Sequence, residues 1–493
     1  MNKILSPLLL AVALVGCTMM PKYEQPAAPV AVDWPLRHTD TNAAVAADLG
    51  WRDVFRDARL QQLIGLALAD NRDIRVAVLK VEQARAQYRI ERSALLPTLD
   101  ATGSGTRQRT PGDLTGTGKA QISSQYGLGV GVTGYELDLF GRVRSLKAEA
   151  LETYLATAEA RKSVQIALVA EVADHYLAEC ELTELLAVSR GTLDAAQANY
   201  RLLKGSYDIG NTSELDLRTA EAQMQSARAA VALYERQRMQ AGNALVLLVG
   251  QPLPADLPAA QPLATQGLIA GLAPGLPSEL LQRRPDILQA EHQLKAANAD
   301  IGAARAAFFP RITLTGSAGT ASSQLSDLFA PGSDAWSFAP QISVPLFDAG
   351  NNAASLDVAK LRKQIEVAQY EGAIQTAFRE VADALVARAT YDEQLAAHEA
   401  LEEAQQQRFQ LAQARYREGV DSYLAVLTAQ QDLFSAQQSV VQSRYARWSN
   451  RVTLYKTLGG GWNEHTQETP AQQSQASVQE HRDIQPVGNV AHD

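Results

Sequence analysis

The residues of this chain that could do chemistry are few and widely spaced. Cys17 and Cys180 are its two thiols, able in principle to carry an acyl group, pair with each other or bind a soft metal. His175 and His398 stand in helical patterns without a Cys or His at ligand spacing, which suits packing or surface roles better than metal binding. His465, His481 and His492 are strung along the polar segment 463–493, too far apart for a preformed site. Gly129-Val130-Gly131-Val132-Thr133-Gly134 matches the dinucleotide fingerprint letter for letter. Its glycines, however, fall inside an alternating strand pattern that runs on through Tyr135 to Phe140, where a helix would have to receive the phosphates. No His-Glu-x-x-His, Gly-x-Ser-x-Gly or Gly-Lys-Ser/Thr motif occurs. The chain reads as a non-enzyme with no metal and no dissociable cofactor.

The setting of Cys17 gives that thiol a use. Lys3 supplies a positive start, and Ile4 to Val15 is an apolar stretch of about 12 residues, short of the roughly 20 that cross a bilayer. It ends in Leu14-Val15-Gly16-Cys17, which resembles the bacterial lipobox. That resemblance implies removal of residues 1–16 and covalent diacylglycerol and N-acyl lipid on Cys17. Two or three acyl chains anchor far better than one. Thr18, not Asp, follows the cysteine, which by similarity to sorting signals favours the outer membrane. A Cys17–Cys180 disulfide stays open as an alternative, although the helical pattern around Cys180 favours a buried free thiol.

These features must be carried by an unusual scaffold. Of 493 residues, 82 are alanine and only 6% aromatic, which indicates long, closely packed helices. With 46% hydrophobic and 20% charged residues the chain is not a disordered polymer, and its net charge of −9 argues against a nucleic-acid binder. The Pro- and Ala-rich residues after Cys17 predict an extended arm within 17–50, and residues 463–493 predict a disordered tail.

Between those ends the sequence repeats. Asn71-Arg72-Asp73-Ile74 answers Arg284-Pro285-Asp286-Ile287, and Pro97 and Gly103 answer Pro310 and Gly316. Further on, Glu171-Val172-Ala173-Asp174 answers Glu380-Val381-Ala382-Asp383, while Tyr207, Gly210, Ser213 and Leu215 answer Tyr416, Gly419, Ser422 and Leu424. The halves are residues 51–250 and 278–462, joined by a seam at 251–277 that holds six prolines. Each half orders as helix, strand, strand, long helix, turn, long helix. No proline interrupts Pro111 to Pro252 or Pro345 to Pro470, so a helix from about Arg142 to Asp208 can run unbroken. Gly210 and Gly419 suit C-terminal caps; Ser213 and Ser422 suit N-caps of the helices that follow.

The strands alternate with period two. Tyr126, Leu128, Val130 and Val132 oppose Gly127, Gly129, Gly131 and Thr133. Trp336, Phe338, Pro340, Ile342, Val344 and Leu346 oppose Ser337, Ala339, Gln341 and Ser343, with Thr98–Ser104 and Ile312–Ser317 as shorter partners. One apolar face and one small or polar face fit a soluble sandwich or a water-lined membrane barrel. Four strands cannot close a membrane barrel, which needs about eight or more, whereas three copies would supply twelve.

The run Leu276-Pro277-Ser278-Glu279-Leu280-Leu281-Gln282-Arg283-Arg284-Pro285-Asp286-Ile287 resembles the hallmark of the outer membrane factor family. Phe309-Pro310, Pro345-Leu346-Phe347-Asp348-Ala349-Gly350, Tyr416-Arg417-Glu418-Gly419 and the signal ending in Cys17 fit the same family, as TolC/OprM-like lipoprotein channels of tripartite multidrug efflux pumps. The resemblance covers the mature chain to about Trp462. It implies a mainly α protein with a membrane β-barrel: a homotrimer with a twelve-stranded barrel in the outer membrane and a twelve-helix α-barrel across the periplasm. It also implies a periplasmic membrane-fusion adaptor and an inner-membrane resistance-nodulation-division (RND) pump as partners, with outer membrane lipid around the barrel.

The family's constriction lies at the turn of the second helical hairpin. Carried over by position, Tyr416 and Arg417 would link the closed state, Asp421 sits in the same turn, and Leu424 would form an apolar ring. Where family members place an Asp one turn beyond that Leu, this chain has Thr428, which removes one negative ring. Tyr207, Asp208, Leu215 and Thr219 are the counterparts in the first repeat. A protein-secretion channel of the same architecture, or a lipid-anchored coiled-coil scaffold that does not perforate the membrane, are the competing readings. The scaffold leaves the four recurring strands unexplained.

Overall fold

The computed structural model describes residues 18–31, 34, 44–267, 272–273 and 277–466. The expected signal peptide, Cys17 and its lipid, and the tail residues His481 and His492 lie outside the described residues. The first repeat is preceded by β1 (Ala44–Val45) and contains α1 (Trp51–Val54), α2 (Ala58–Asp70), α3 (Arg72–Ser93), β2 (Asp100–Thr110), β3 (Gln121–Leu137), α4 (Arg142–Asp208) and α5 (Glu214–Val249). Beyond it follow β4 (Leu272–Ala273), α6 (Pro277–Arg283), α7 (Pro285–Ala306), β5 (Arg311–Ser322), β6 (Asp334–Ser343), α8 (Asn351–Arg417) and α9 (Tyr423–Thr457). Helix, two strands and two long helices therefore occur twice.

The two longest helices, α4 and α8, have 67 residues each, about 100 Å at roughly 1.5 Å per residue. A carboxylate starts each of them. Asp138 accepts from Val143 N and Arg144 N at 3.1 and 2.9 Å, and Asp348 accepts from Asn352 N at 2.9 Å. Along α4 the hydroxyls of Thr153, Thr157, Thr183 and Thr192 donate to carbonyls four residues back, so these four are satisfied within the helix. No helix among the described residues is long and apolar enough to cross a membrane.

The described residues divide into two compact units. The first comprises residues 18–28, 79–158 and 289–373, and is built on an antiparallel sheet of order β2-β3-β5-β6. Its register places the two faces as the alternation predicts. Leu128 and Val130 share a face with Ala318, Trp336 and Phe338; Gly129 and Gly131 share the other with Ser317, Ser337 and Ala339. A bulge between Val132 and Tyr135, with Gly134 at φ 69°, keeps Tyr135 and Leu137 on the apolar face. The alternation ends sooner than expected, because Val344 and Leu346 lie beyond the end of β6. The glycines of β3 also do more than keep one face small. A Cβ on Gly129 would stand 2.9 Å from Ala318 O and one on Gly131 2.7 Å from Gly316 O, so the β3–β5 approach requires glycine.

In the same unit residues 18–25 have no regular structure and lie along α7. Arg305 Nη1 donates to Met19 O, Asn298 Nδ2 to Pro21 O at 2.8 Å, Tyr23 Oη to Glu291 Oε1, and Gln25 Nε2 to Tyr370 Oη at 2.8 Å. A Cβ on Gly302 would lie 2.8 Å from Met20 Cα and 2.5 Å from Ser145 Oγ. Glycine at 302 is what leaves room for the arm.

The second unit holds the remaining described residues, with Trp51, Phe55, Leu63, Ile64, Tyr176, Leu177 and Tyr455 among its most buried side chains. Asp57 caps α2 through Arg59 N and Leu60 N and accepts from Tyr176 Oη at 2.6 Å. Phe55 meets the Tyr455 ring edge-on at 5.8 Å. Here the expected tail begins later than position 463. Asn463 O accepts from Trp51 N at 2.9 Å, Glu464 pairs with Arg52 at 2.7 Å, and Thr466 N donates to Asp53. Residues with backbone and charge partners of this kind are part of the fold.

A candidate gate at the hairpin turns

The two helical hairpins of the second unit close with the same turn. At the first, Gly210 N donates to Tyr207 O and Asn211 N to Ser206 O at 2.9 and 2.8 Å. At the second, Gly419 N donates to Tyr416 O and Val420 N to Arg415 O at 3.0 and 2.9 Å. Both are Schellman caps, and both glycines are left-handed, with φ of 80° and 72°. Any side chain there would strain the turn.

The next helix starts differently in the two repeats. Ser213 accepts from Asp216 N at 3.1 Å and donates to Asp216 Oδ2 at 2.6 Å, an N-cap whose hydroxyl is itself oriented by the Asp216 carboxylate. Ser422 makes no side-chain cap; Ala425 N bonds its carbonyl instead. The second turn uses charge where the first uses a hydroxyl. Arg415 Nε and Nη2 grip the two oxygens of Asp421 at 2.6 and 3.0 Å. Hydrogen bonding to Arg415 holds the Asp421 carboxyl below its ordinary pKa. The positions equivalent to this pair in the first turn are Ser206 and Thr212.

Behind the second turn lies an apolar cluster of Leu203, Ala220, Tyr423, Val426 and Leu427, with Tyr200, Phe409, Ala412 and Tyr416 packed against it. It joins α4, α5, α8 and α9. The Tyr416 and Tyr423 rings are 5.4 Å apart and tilted by 57°. Burial, with Tyr416 nearby, pushes the Tyr423 phenol up to about 12, so it stays neutral.

The residues expected at this site fall into three groups. Tyr416 and Asp421 have partners within the chain, Tyr416 the Tyr423 ring and Asp421 the Arg415 guanidinium. Thr428 and Thr219 spend their hydroxyls on Leu424 O and Leu215 O, at 3.0 and 2.6 Å, in matching fashion. Leu424 and Leu215 project outward, 64% and 76% exposed, as do Arg417, Tyr207 and Asp208. Ile209 and Val420, at 73% and 61%, extend the exposed apolar set at the two turns. Sequence reading missed Arg415 and Tyr423. A Schellman turn folds residue 421 back onto 415, and that six-residue spacing across Gly419 was the available signal.

Nothing at the turns is arranged for bond chemistry. The literal dinucleotide motif lies within β3, with Gly134 at its bulge. Cys180 is a buried free thiol in α4, pushed up to about 12 by that burial. The turns offer instead exposed leucines, a fixed carboxylate and uncommitted charges, a surface suited to meeting other chains.

Comparison with known proteins gives these features a family context. A family model described as outer membrane efflux protein matches residues 63–251 and 276–460, one segment per repeat. The chain is 49% identical over 478 residues to the toluene efflux pump outer membrane protein TtgC of Pseudomonas putida, covering 96% of this chain and 98% of that one. It is 50% identical over 463 residues to the solvent efflux pump outer membrane protein SrpC of the same species, covering 93% and 98%. Among solved structures, the open state of the Neisseria gonorrhoeae MtrE outer membrane channel superposes with a TM-score of 0.85 at 44% identity, covering 92% of this chain and all of that one.

Proposed function

The chain belongs to the outer membrane efflux protein family, and from that premise we propose that three copies form one passive exit duct. It is an outer membrane component of an efflux system, a transport role with no catalysis of its own. The observation that carries the trimer is the four-stranded sheet with two free edges, β2 and β6. Each unpaired backbone group in lipid costs several kcal/mol, so the edges must be closed. A β2-to-β6 pairing repeated three times closes a twelve-stranded barrel, and twelve long helices continue it as an α-barrel through the periplasm. Lipid on Cys17 would tether each copy.

Solutes would reach the duct through a periplasmic adaptor and an inner-membrane RND pump, and the pump would choose them. Toluene and solvent in the names of the similar proteins support small apolar compounds as candidates, beside the drugs that the family resemblance suggests. The turns would act as the gate: Leu424 and Leu215 as apolar constrictions, Tyr416, Arg417 and Asp421 as links, with Thr428, Thr219, Tyr207 and Asp208 lining the same level. Opening is then a shift between helix arrangements, driven by contacts that an adaptor makes better in one of them.

Reconstitution in a planar lipid bilayer tests the duct. Discrete conductance steps together with a heat-resistant trimer on gels are expected. A monomer, or a bilayer that stays silent, overturns the reading.

A further inference from the structure

The apolar face of the sheet carries two cations that the exit-duct reading does not use. In the β2–β3 register Gly103 lies opposite Leu128 and Gly105 opposite Tyr126, while Arg107 lies opposite Ser124 and Arg109 opposite Ile122. Residues directly opposite in an antiparallel pair share a face, so both arginines stand on the side of Tyr126, Leu128 and Val130. Both are exposed, and neither makes a side-chain hydrogen bond or an ion pair among the described residues. Two residues apart on a strand, they sit about 7 Å from each other. Lys119 adds a third exposed cation in the loop that joins the strands, and Asp113 is the loop's one carboxylate. Asp334, the acid at the start of β6, shares the same face but on the opposite edge of the sheet.

Their height selects a partner. The helices of the first unit join the strands at the Asp100 and Leu137 end, and the Pro111–Ala120 loop is at the other. At about 3.4 Å per residue and a tilt near 40°, Arg107 is about 18 Å and Arg109 about 23 Å above Asp100. Measured from Asp100 in an apolar band about 25 Å tall, Arg109 stands near the far rim, and Arg107, about 5 Å lower, can extend its long side chain toward the headgroup phosphates there. A guanidinium offers a fork of donors matched to phosphate oxygens.

We infer that Arg107 and Arg109, with Lys119, form a binding site for the phosphate groups of outer-leaflet lipid. This rests on the membrane-barrel reading. The apolar residues below the pair would meet acyl chains while the guanidinium groups hold phosphate, so one lipid is gripped at both ends. The occupant is a phosphorylated lipid, not free phosphate, because the cations stand directly above an apolar strand face.

The full chain is reconstituted in phosphatidylcholine vesicles with bisphosphorylated lipid A, with its dephosphorylated form, or with inorganic phosphate alone. The readouts are the midpoint of heat dissociation of the oligomer and single-channel conductance. Bisphosphorylated lipid A is expected to raise the wild-type midpoint by several degrees, and the other two additions to leave it unchanged. R107Q/R109Q should lose most of that gain while keeping the wild-type midpoint in plain phosphatidylcholine and the wild-type conductance; R107K/R109K should retain part of it. Equal gains in wild type and R107Q/R109Q, or with the dephosphorylated lipid, overturn the site, and a matching effect of inorganic phosphate overturns the lipid as its source. Absence of conductance in every sample instead overturns the barrel on which the site depends.

Discussion

Asn71 and Arg284 occupy the same place in the two repeats and perform the same tie with different chemistry. Asn71 Nδ2 donates to Leu248 O at 2.8 Å near the end of α5, and Arg284 Nη1 donates to Thr457 O at 2.9 Å at the end of α9. Leu248 and Thr457 are themselves repeat equivalents. Asn71 also caps α3 through Asp73 N and Ile74 N. Arg284 instead pairs with Asp286 and Glu380; burial opposes its charge, and those two carboxylates overcome the penalty. Arg284→Met should cost about 2–3 kcal/mol, at or below the low end for a broken buried pair because both carboxylates retain solvent. Asn71→Ala should cost about 1–2 kcal/mol, for a lost cap and one bond. Denaturant titration in detergent checks the order; equal losses would mean that the charge adds nothing.

Next to each tie stands a left-handed glycine, Gly250 and Gly459, with φ of 80° and 83°. A Cβ on Gly250 would meet Asp70 O at 2.5 Å, whereas one on Gly459 would stand 3.2 Å from Arg283 O. Both alanine variants pay the left-handed penalty of about 1–2 kcal/mol, and Gly250→Ala should lose more because backbone must move. The same titration reads the difference.

At the second turn Arg415 is spent on Asp421 and Arg417 is not. Arg417→Ala should therefore raise the closed-state conductance of the reconstituted channel more than Arg415→Ala does. Tyr416→Phe, which keeps the ring against Tyr423, should show whether the hydroxyl is a link. Closed-state currents equal to wild type in Arg417→Ala and Tyr416→Phe would remove the gate from these residues. Thr428→Asp should add a ring of negative charge and make the current sensitive to multivalent cations.

Glu149 in α4 is pushed up to about 7, first by burial and then by Asp300, with Arg362 opposing and Glu91 reinforcing the shift. A carboxyl raised above its unfolded value favours the fold while it is protonated. That contribution is complete below the unfolded value near 4.5 and is lost as pH rises through about 7. Glu149→Gln should flatten stability across this window and gain on the order of 1 kcal/mol at pH 8, a modest value because the group keeps partial contact with water. Heat-dissociation midpoints at pH 5 and 8 test this; parallel pH slopes for both proteins would contradict it.

Local rules carried the sequence reading a long way. The ends of α4 were legible because a proline-free run from about Arg142 is closed by Gly210, and the sheet faces because alternation has a fixed period. What escaped it were contacts between residues far apart in the chain. Arg284 meets Glu380 and Thr457 across 96 and 173 positions. Gly129 is required by Gly319 and Ala318, so its own strand gave no hint. The Asn71–Arg284 correspondence was visible as alignment, but the shared task was hidden by unlike side chains. At the turns, the motif placed Tyr416 and Leu424 while leaving unsaid which neighbour Asp421 would choose.

Gly302 bears on how such a chain could be assembled. If the lipid proposed for Cys17 is attached before folding, the chain would have to complete its fold with that end held. The arm lies over α7 on a strip cleared by one missing side chain and fixed chiefly by contacts to formed helices. It can be laid down last, after the helices beneath it exist. A single glycine thus serves two contacts: Gly302→Leu should leave residues 18–25 open to early protease cleavage and also disturb the approach of α7 to Ser145 of α4.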